Sequence, residues 1–483
     1  MGKNNTQLTR RKALRLGGVA GAGAMTALAG CTGGGGDSSS EITQSGSGSG
    51  GGNGSGGGGN SSGGSSADLV AQNRIGSTDA ATAMDYWLLQ DQSHRNQENP
   101  PYGDAILNSV YQPWAEDHPD ARFDLQYQTN LEQMKVKLLQ TVAKGNAPAL
   151  SQTDSFWVPN FYGDLQPVTP AIENPDDWYP FVKDIAMNDG EWVALWKYTD
   201  CRALYYRVDM MDKYNDGNAP ETWDELVSVG QKITQNEDMD AFMYNGGRWE
   251  ATTFDNLAYF WAQGGQLIDD QGAPVFGKDK NYDALLSTFE WFKRTRDSGI
   301  TPQRVANIDD YALLREAALN GETAMFLGGN WQITTIKEQV DSESEWRNWQ
   351  VGKIPQRSAD TAATGTGGWT EGIFTTDEAK RQAALDFVSR YGQKDVMAET
   401  CEVGGFLPTR QSVFEESDYF AEDPYFQTYA DLLQDGKARP GYPIYITLSE
   451  EWQVAAGKVL TGQASPKQAV DTMVANVRSE YDG

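Results

Sequence analysis

The chain has 483 residues, with 39 lysines and arginines against 67 aspartates and glutamates, a formal net charge of −28, two histidines and three cysteines. Roughly 150 residues per domain allows two or three domains, and the acidic balance repels phosphate backbones, which excludes a basic nucleic-acid groove. His94 and His118 are too few for a His-rich metal site and no Cys-x-x-Cys pair exists, so metal-hydroxide and thiol chemistry lack their ligands and no cofactor is expected.

Lys3, Arg10, Arg11, Lys12 and Arg15 precede a weakly apolar stretch, Leu16 to Ala29, that is too short to span a bilayer. Thr9-Arg10-Arg11 resembles a twin-arginine export signal. Leu28-Ala29-Gly30-Cys31 resembles a lipobox, which makes Cys31 the expected lipidated residue of the mature chain. Removing residues 1–30 deletes five positive charges and no acids, leaving −33. Such self-repulsion is tolerable where salt screens it, since at about 1 M the Debye length is about 3 Å. The composition therefore reads as adaptation to brine, and the amino-terminal features as a haloarchaeal-type lipoprotein.

Residues 31–80 are expected to form a flexible tether: Gly33 to Ser66 is almost wholly Gly, Ser, Asn and Asp and cannot bury a core. Its reach is roughly 30–35 Å. Asn53 and Asn60 head glycosylation sequons within it. Beyond it, Ala83 to Leu89 reads as a strand; Ile106, Val110 and Trp114 recur at helical spacing, and Phe123, Leu125 and Tyr127 alternate as in a strand. Leu131, Met134, Leu138 and Val142 predict an amphipathic helix stopped by Gly145. Thr222 and Glu225 form a capping box, Asp309 or Asp310 precedes the face Leu313, Leu314 and Ala317, and Ser465-Pro466 starts a last helix. This alternation predicts an α/β fold.

Leu319-Asn-Gly-Glu-Thr-Ala-Met-Phe-Leu-Gly-Gly-Asn-Trp331 resembles the signature segment of the extracellular solute-binding proteins of sugar ABC importers, the maltose-binding protein family. Further pieces follow in the family's order: Ala143 to Pro148, Ala203 to Tyr206, Pro220 to Leu226, Ile354-Pro355, Gly404 to Pro408, and Trp452 followed by Gly462. The resemblance covers roughly residues 83 to 475. It implies a periplasmic-binding-protein-like (type II) fold in which two lobes close on a ligand about a hinge. The chain is expected to cross that hinge near Lys197 to Arg202, Ile354 to Arg357 and Thr400 to Phe406. The amino-terminal lobe would comprise residues 81–199 and 356–402, and the carboxy-terminal lobe residues 200–355 and 403–483. Permease subunits, a monomeric state and an extracellular, lipid-anchored location follow from the same resemblance, with no enzymatic activity.

Fifteen tryptophans suit a carbohydrate ligand, because a sugar ring has apolar C–H faces and a hydroxyl rim. Trp114, Trp223, Trp261 and Trp291 are assigned to the core. By the resemblance, Trp331 and Trp452 match stacking positions and Trp249 an aromatic contact; Trp369, next to Thr370 and Glu371, sits in a Gly-Gly-Trp segment, and Trp87 closes the first strand. Asp91, Asp154 and Asp200 match sugar-binding carboxylates, with Glu371 as a further candidate. Ser151, Ser155 and the stretch around Ala455-Ala456 depart from the maltose pattern, so the sugar class is carried over and maltose itself is not. Arg207 and Arg248 are the candidate cations. Cys201 and Cys401 fall at two crossings, where buried free thiols are the default and a disulfide the alternative. A polyamine receptor of the same fold and a secreted glycosidase remain as other readings.

Overall fold

The computed structural model describes residues 69–482, apart from 129 and 270; the expected export leader, Cys31 and the Gly/Ser stretch lie outside these. Thirteen strands occur among the described residues: β1 (Val70–Ala71), β2 (Arg74–Gly76), β3 (Thr82–Leu89), β4 (Ala121–Gln128), β5 (Leu150–Asp154), β6 (Met187–Asn188), β7 (Glu191–Trp192), β8 (Leu195–Arg207), β9 (Asp240–Met243), β10 (Thr323–Gly329), β11 (Trp349–Gly352), β12 (Thr364–Ile373) and β13 (Gly436–Ala438). Eleven of them join in the order β1-β2-β4-β3-β5-β12-β8-β10-β9, with β11 added on β8 and β13 on β12, while β6 and β7 pair separately.

The opening is a βαβαβ unit. β3 runs parallel to both β4 and β5, and helices fill the connections, as parallel pairing requires. Helical residues 100–117 bury Ile106, Val110 and Trp114 completely. The second helix, Leu131–Ala143, is capped by Asn130 and buries Met134 and Leu138. Both follow the predicted spacing. The capping box of Thr222 and Glu225 forms at the start of helix Trp223–Asn236, Asp310 caps helix Tyr311–Leu319, and Pro466 begins helix Pro466–Asp482.

Residues 70–76 correct the expected extent of the tether. β1 and β2 form a hairpin whose second strand pairs with β4, because Ile75 supplies a fully buried side chain to the sheet.

β8 links the two halves of the sheet. Trp196 to Cys201 pair with β12, whereas Arg202 to Tyr206 pair with β10, and β11 takes the outer edge from Leu204 to Arg207. The change of partner falls between Cys201 and Arg202. On one side of it the core is built by Phe123, Trp114 and Phe387, whose rings lie 4.7 to 5.6 Å apart. On the other, helices Glu250–Trp261, Asp279–Asp297 and Ile444–Leu460 pack together, and Trp223 stacks on Trp291 at 4.9 Å. Cys201 and Cys401 are free, buried thiols, the default expected from the sequence.

Candidate functional site

The backbone of β12 brings two acids together. Trp369 pairs with Asp154 at the end of β5, and Gly367 pairs with Asp200 on β8. Asp200 is the one partly exposed residue in a buried run from Trp192 to Tyr205, so it is placed where the sheet meets the site. Gly368 has φ +123°, and a Cβ there would lie 2.2 Å from the Tyr198 carbonyl oxygen. Only glycine fits this turn, and the register shifts directly after Trp369, which sets the indole at the strand's bend.

Across from these acids stands the amino end of helix Glu250–Trp261. Arg202, a β8 residue, donates from Nε to Asp255 at 2.9 Å, bonds Asp200, and reaches the Tyr311 hydroxyl at 3.1 Å. Asp255 also accepts from Tyr311 at 2.6 Å and from Asn245 at 2.7 Å. Arg439, which follows β13, donates to Asp154 and to Glu250, each at 3.2 Å. Glu250 accepts further from the hydroxyls of Tyr445 and Ser449. Burial pushes the Asp154 and Asp255 carboxyls above their ordinary values, against the pull of Arg439 and Arg202 respectively. Four carboxylates thus face two guanidiniums in a largely water-excluded site.

Aromatic groups wall the same space. Tyr311 lies edge-on to both Trp331 and Trp249, with ring centres 5.0 Å apart in both cases. Trp369 meets Trp157 edge-on at 6.3 Å, and Phe156 lies next to Trp157 and Tyr445. Trp331 is folded back over Gly329, where a Cβ would stand 2.1 Å from the indole. Gly329→Ala is therefore expected to displace this indole: near-ultraviolet circular dichroism should change while the far-ultraviolet spectrum stays that of the native chain.

Of the residues singled out in the sequence, Trp249, Trp331, Trp369, Asp154 and Asp200 come together here. Four others do not. Trp452 is fully buried within helix Ile444–Leu460, its ring 5.0 Å from Phe289 and 6.4 Å from Phe260. Its helical spacing with Leu448, Ala455 and Val459 turns it into the helix core, which corrects the stacking role. Glu371 is also fully buried, in an ion pair with Lys197 at 3.0 Å, which corrects its place in a ligand rim. Trp87 is buried on β3 under the Lys137 ammonium, 4.1 Å from its ring centre. Asp91 is exposed in the turn after β3, beside Gln92 and Asn96.

The site's guanidiniums are Arg202 and Arg439, and the buried Lys135 ammonium lies 4.5 Å from the Phe156 ring centre. Arg207 pairs instead with Asp209 at 2.6 Å, and Arg248 is exposed. Arg439, Phe156, Phe254, Glu250, Asp255 and Tyr311 carried no sequence signal beyond their residue type, apart from Glu250, which directly follows the Trp249 loop. Among the described residues, no group of three His, Cys, Asp or Glu side chains is arranged to hold a metal ion.

The sequence pattern described as bacterial extracellular solute-binding protein matches residues 109–428. A protein of Deinococcus radiodurans named "Probable ABC transporter-binding protein" is 23% identical over 347 residues, covering 69% of this chain and 80% of the relative. Among solved structures, the sugar-binding protein MalE of Xanthomonas citri superposes with a TM-score of 0.69 at 21% identity, over 83% of this chain and 97% of that one. The cyclic α-maltosyl-1,6-maltose binding protein of Arthrobacter globiformis gives 0.69 at 21% identity, over 83% and 99%. These likenesses establish the two-lobed α/β periplasmic-binding fold expected from the sequence; at such identities they speak for the fold alone.

Proposed function

The chain belongs to the bacterial extracellular solute-binding protein family, and from that premise we propose that it is the membrane-tethered receptor of an ABC importer, closing two lobes on a sugar or oligosaccharide. The observation that carries the ligand class is the meeting of aromatic faces, Trp249, Tyr311, Trp331 and Trp369, with the carboxylates Asp154, Asp200 and Glu250. Apolar ring faces stack on flat side chains, and hydroxyls donate to carboxylates in charge-assisted bonds, the stronger class. The structural neighbours include maltose-bound MalE3 of T. maritima and a cyclic α-maltosyl-1,6-maltose binding protein, which favours the same class here.

In this reading the lobes, joined where β8 changes partners, are residues 81–199 with 356–438 and residues 200–355 with 439–483; the expected boundary at 402 moves because Leu407 pairs with Thr199, Arg410 bonds Asp177 and β13 lies on β12. Contacts made only in the closed form shift the hinge equilibrium, and closure is what the permease detects. Cys31 carries the lipid, and the Gly/Ser tether gives the folded body its reach. Cys31→Ser should release the protein into the medium; retention on the cell surface would refute the anchor.

The acids of the site outnumber its arginines, which favours a second ligand class, polyamines. Calorimetry at molar salt against oligosaccharides and against spermidine separates the two. Saturable heat with a neutral sugar and none with spermidine is expected; the reverse result would replace the sugar. Release of reducing sugar from oligosaccharides would instead assign a glycosidase.

A further inference from the structure

We propose that the space between Phe156 and Phe254, which the Arg439 guanidinium occupies, is a sugar-ring subsite, so that this arginine is a self-ligand displaced by an incoming ring. The inference rests on the sugar reading and adds to it a subsite and its resident competitor. Across the site, aromatic rings and cations alternate: Trp331, Arg202, Phe254, Arg439, Phe156. The Arg202 guanidinium carbon is 5.1 Å from the Trp331 ring centre and 3.9 Å from that of Phe254. The Arg439 carbon is 4.0 Å from Phe254 and 4.0 Å from Phe156.

Two guanidiniums side by side on one face of a single phenyl ring would overlap, so Arg202 and Arg439 hold opposite faces of Phe254. The centres of Phe156 and Phe254 are then at most twice 4.0 Å apart. A gap of that width takes one flat group at van der Waals contact on both sides. A guanidinium and a pyranose share the needed anatomy, with faces that suit aromatic contact and a rim of hydrogen-bond donors. The rim acceptors are present: Arg439 donates to Asp154 on one side and to Glu250 on the other, each at 3.2 Å.

Arg439 is also an imperfect tenant. Its side chain is 7% exposed, yet Nε finds no hydrogen-bond partner among the described residues, and a buried donor without an acceptor weakens the hold of the group that bears it. Arg439 lies in the irregular connection between β13 and helix Ile444–Leu460, so its side chain can leave without breaking a strand or helix. Arg202 differs on both counts: it lies within β8 and is held by Asp200, Asp255 and Tyr311, and it stays as one wall of the site.

The test is Arg439→Ala in the full-length protein, followed by tryptophan fluorescence and thermal melting. Guanidinium chloride at low millimolar concentration probes the vacated slot, and maltotriose serves as the sugar probe. The variant should show a saturable fluorescence response to guanidinium with a raised melting temperature. The native protein and an Arg439→Ala/Phe156→Ala double variant should show none. Maltotriose should bind the single variant at least about tenfold more tightly than the native chain, and guanidinium should compete with it. Arg439→Lys, which keeps the charge and loses the planar face, should shift sugar affinity in the same direction and covers the case in which the alanine variant does not fold. No guanidinium response, or a tenfold loss of sugar affinity on removing the arginine, overturns the proposal. If no sugar binds either protein while guanidinium still saturates the variant's slot, the sugar reading falls and Arg439's tenancy of the slot stands.

Discussion

Lys197→Met is expected to lower the stability of the folded chain by about 3–5 kcal/mol, read as a shift of the urea unfolding midpoint. The Lys197 ammonium lies 3.0 Å from Glu371 Oε1, with side chains 2% and 0% exposed, and the Tyr86 hydroxyl donates to the same oxygen at 2.9 Å. Burial pushes the Glu371 carboxyl above its ordinary value even with the ammonium in place. Removing the lysine alone leaves a charge that must be buried without its partner or protonated. Removing both is a different experiment: Lys197→Met/Glu371→Leu replaces the pair by apolar groups and should recover most of the loss, since desolvating two charges offsets much of their attraction. A single variant within about 1 kcal/mol of the native chain would contradict this description of the pair.

Trp331→Ala and Trp452→Ala are expected to fail in opposite ways. Trp452 fills a pocket between Phe260 and Phe289, so its truncation opens a cavity and should lower stability by about 3–5 kcal/mol, with the affinity of the remaining folded molecules unchanged. Trp331 is only partly buried, and its ring meets Tyr311, Arg202 and the bare backbone of Gly329. Its loss should leave the melting temperature within a few degrees and weaken sugar binding by about tenfold or more. Matched melting curves and calorimetric titrations decide between the two; weakened affinity in the Trp452 variant at full stability would return that indole to the binding site.

How much of this was legible in the sequence depends on what each residue's neighbours reveal. Ile106, Val110 and Trp114 announce a helix because one face of it must be apolar, and all three are buried. Asp200 and Trp369 were singled out through the family resemblance alone; Asp200 lies in the middle of β8, where its residue type carries no signal of its own. Glu371 misled for a physical reason: β12 is buried on both faces, so alternation along it carries no information about which side a carboxylate meets. Trp452 misled because a family position outweighed its own helical spacing. Arg439, Phe156 and Phe254 were illegible, since residues far apart in the chain, from a coil after a three-residue strand, a 3-10 turn and a helix buried along much of its length, meet only in three dimensions. The hairpin at residues 70–76 was hidden by its brevity and by the low-complexity stretch before it.

Hydrogen exchange with and without the sugar that calorimetry selects shows whether one ligand touches both lobes at once. A ligand held between two lobes should protect backbone amides on both sides of the change of partner in β8 together: residues 154–157 and 367–369 on one side, and 249–255, 311 and 329–331 on the other. Protection confined to one of these sets, or lying elsewhere in the chain, would contradict a ligand gripped between them.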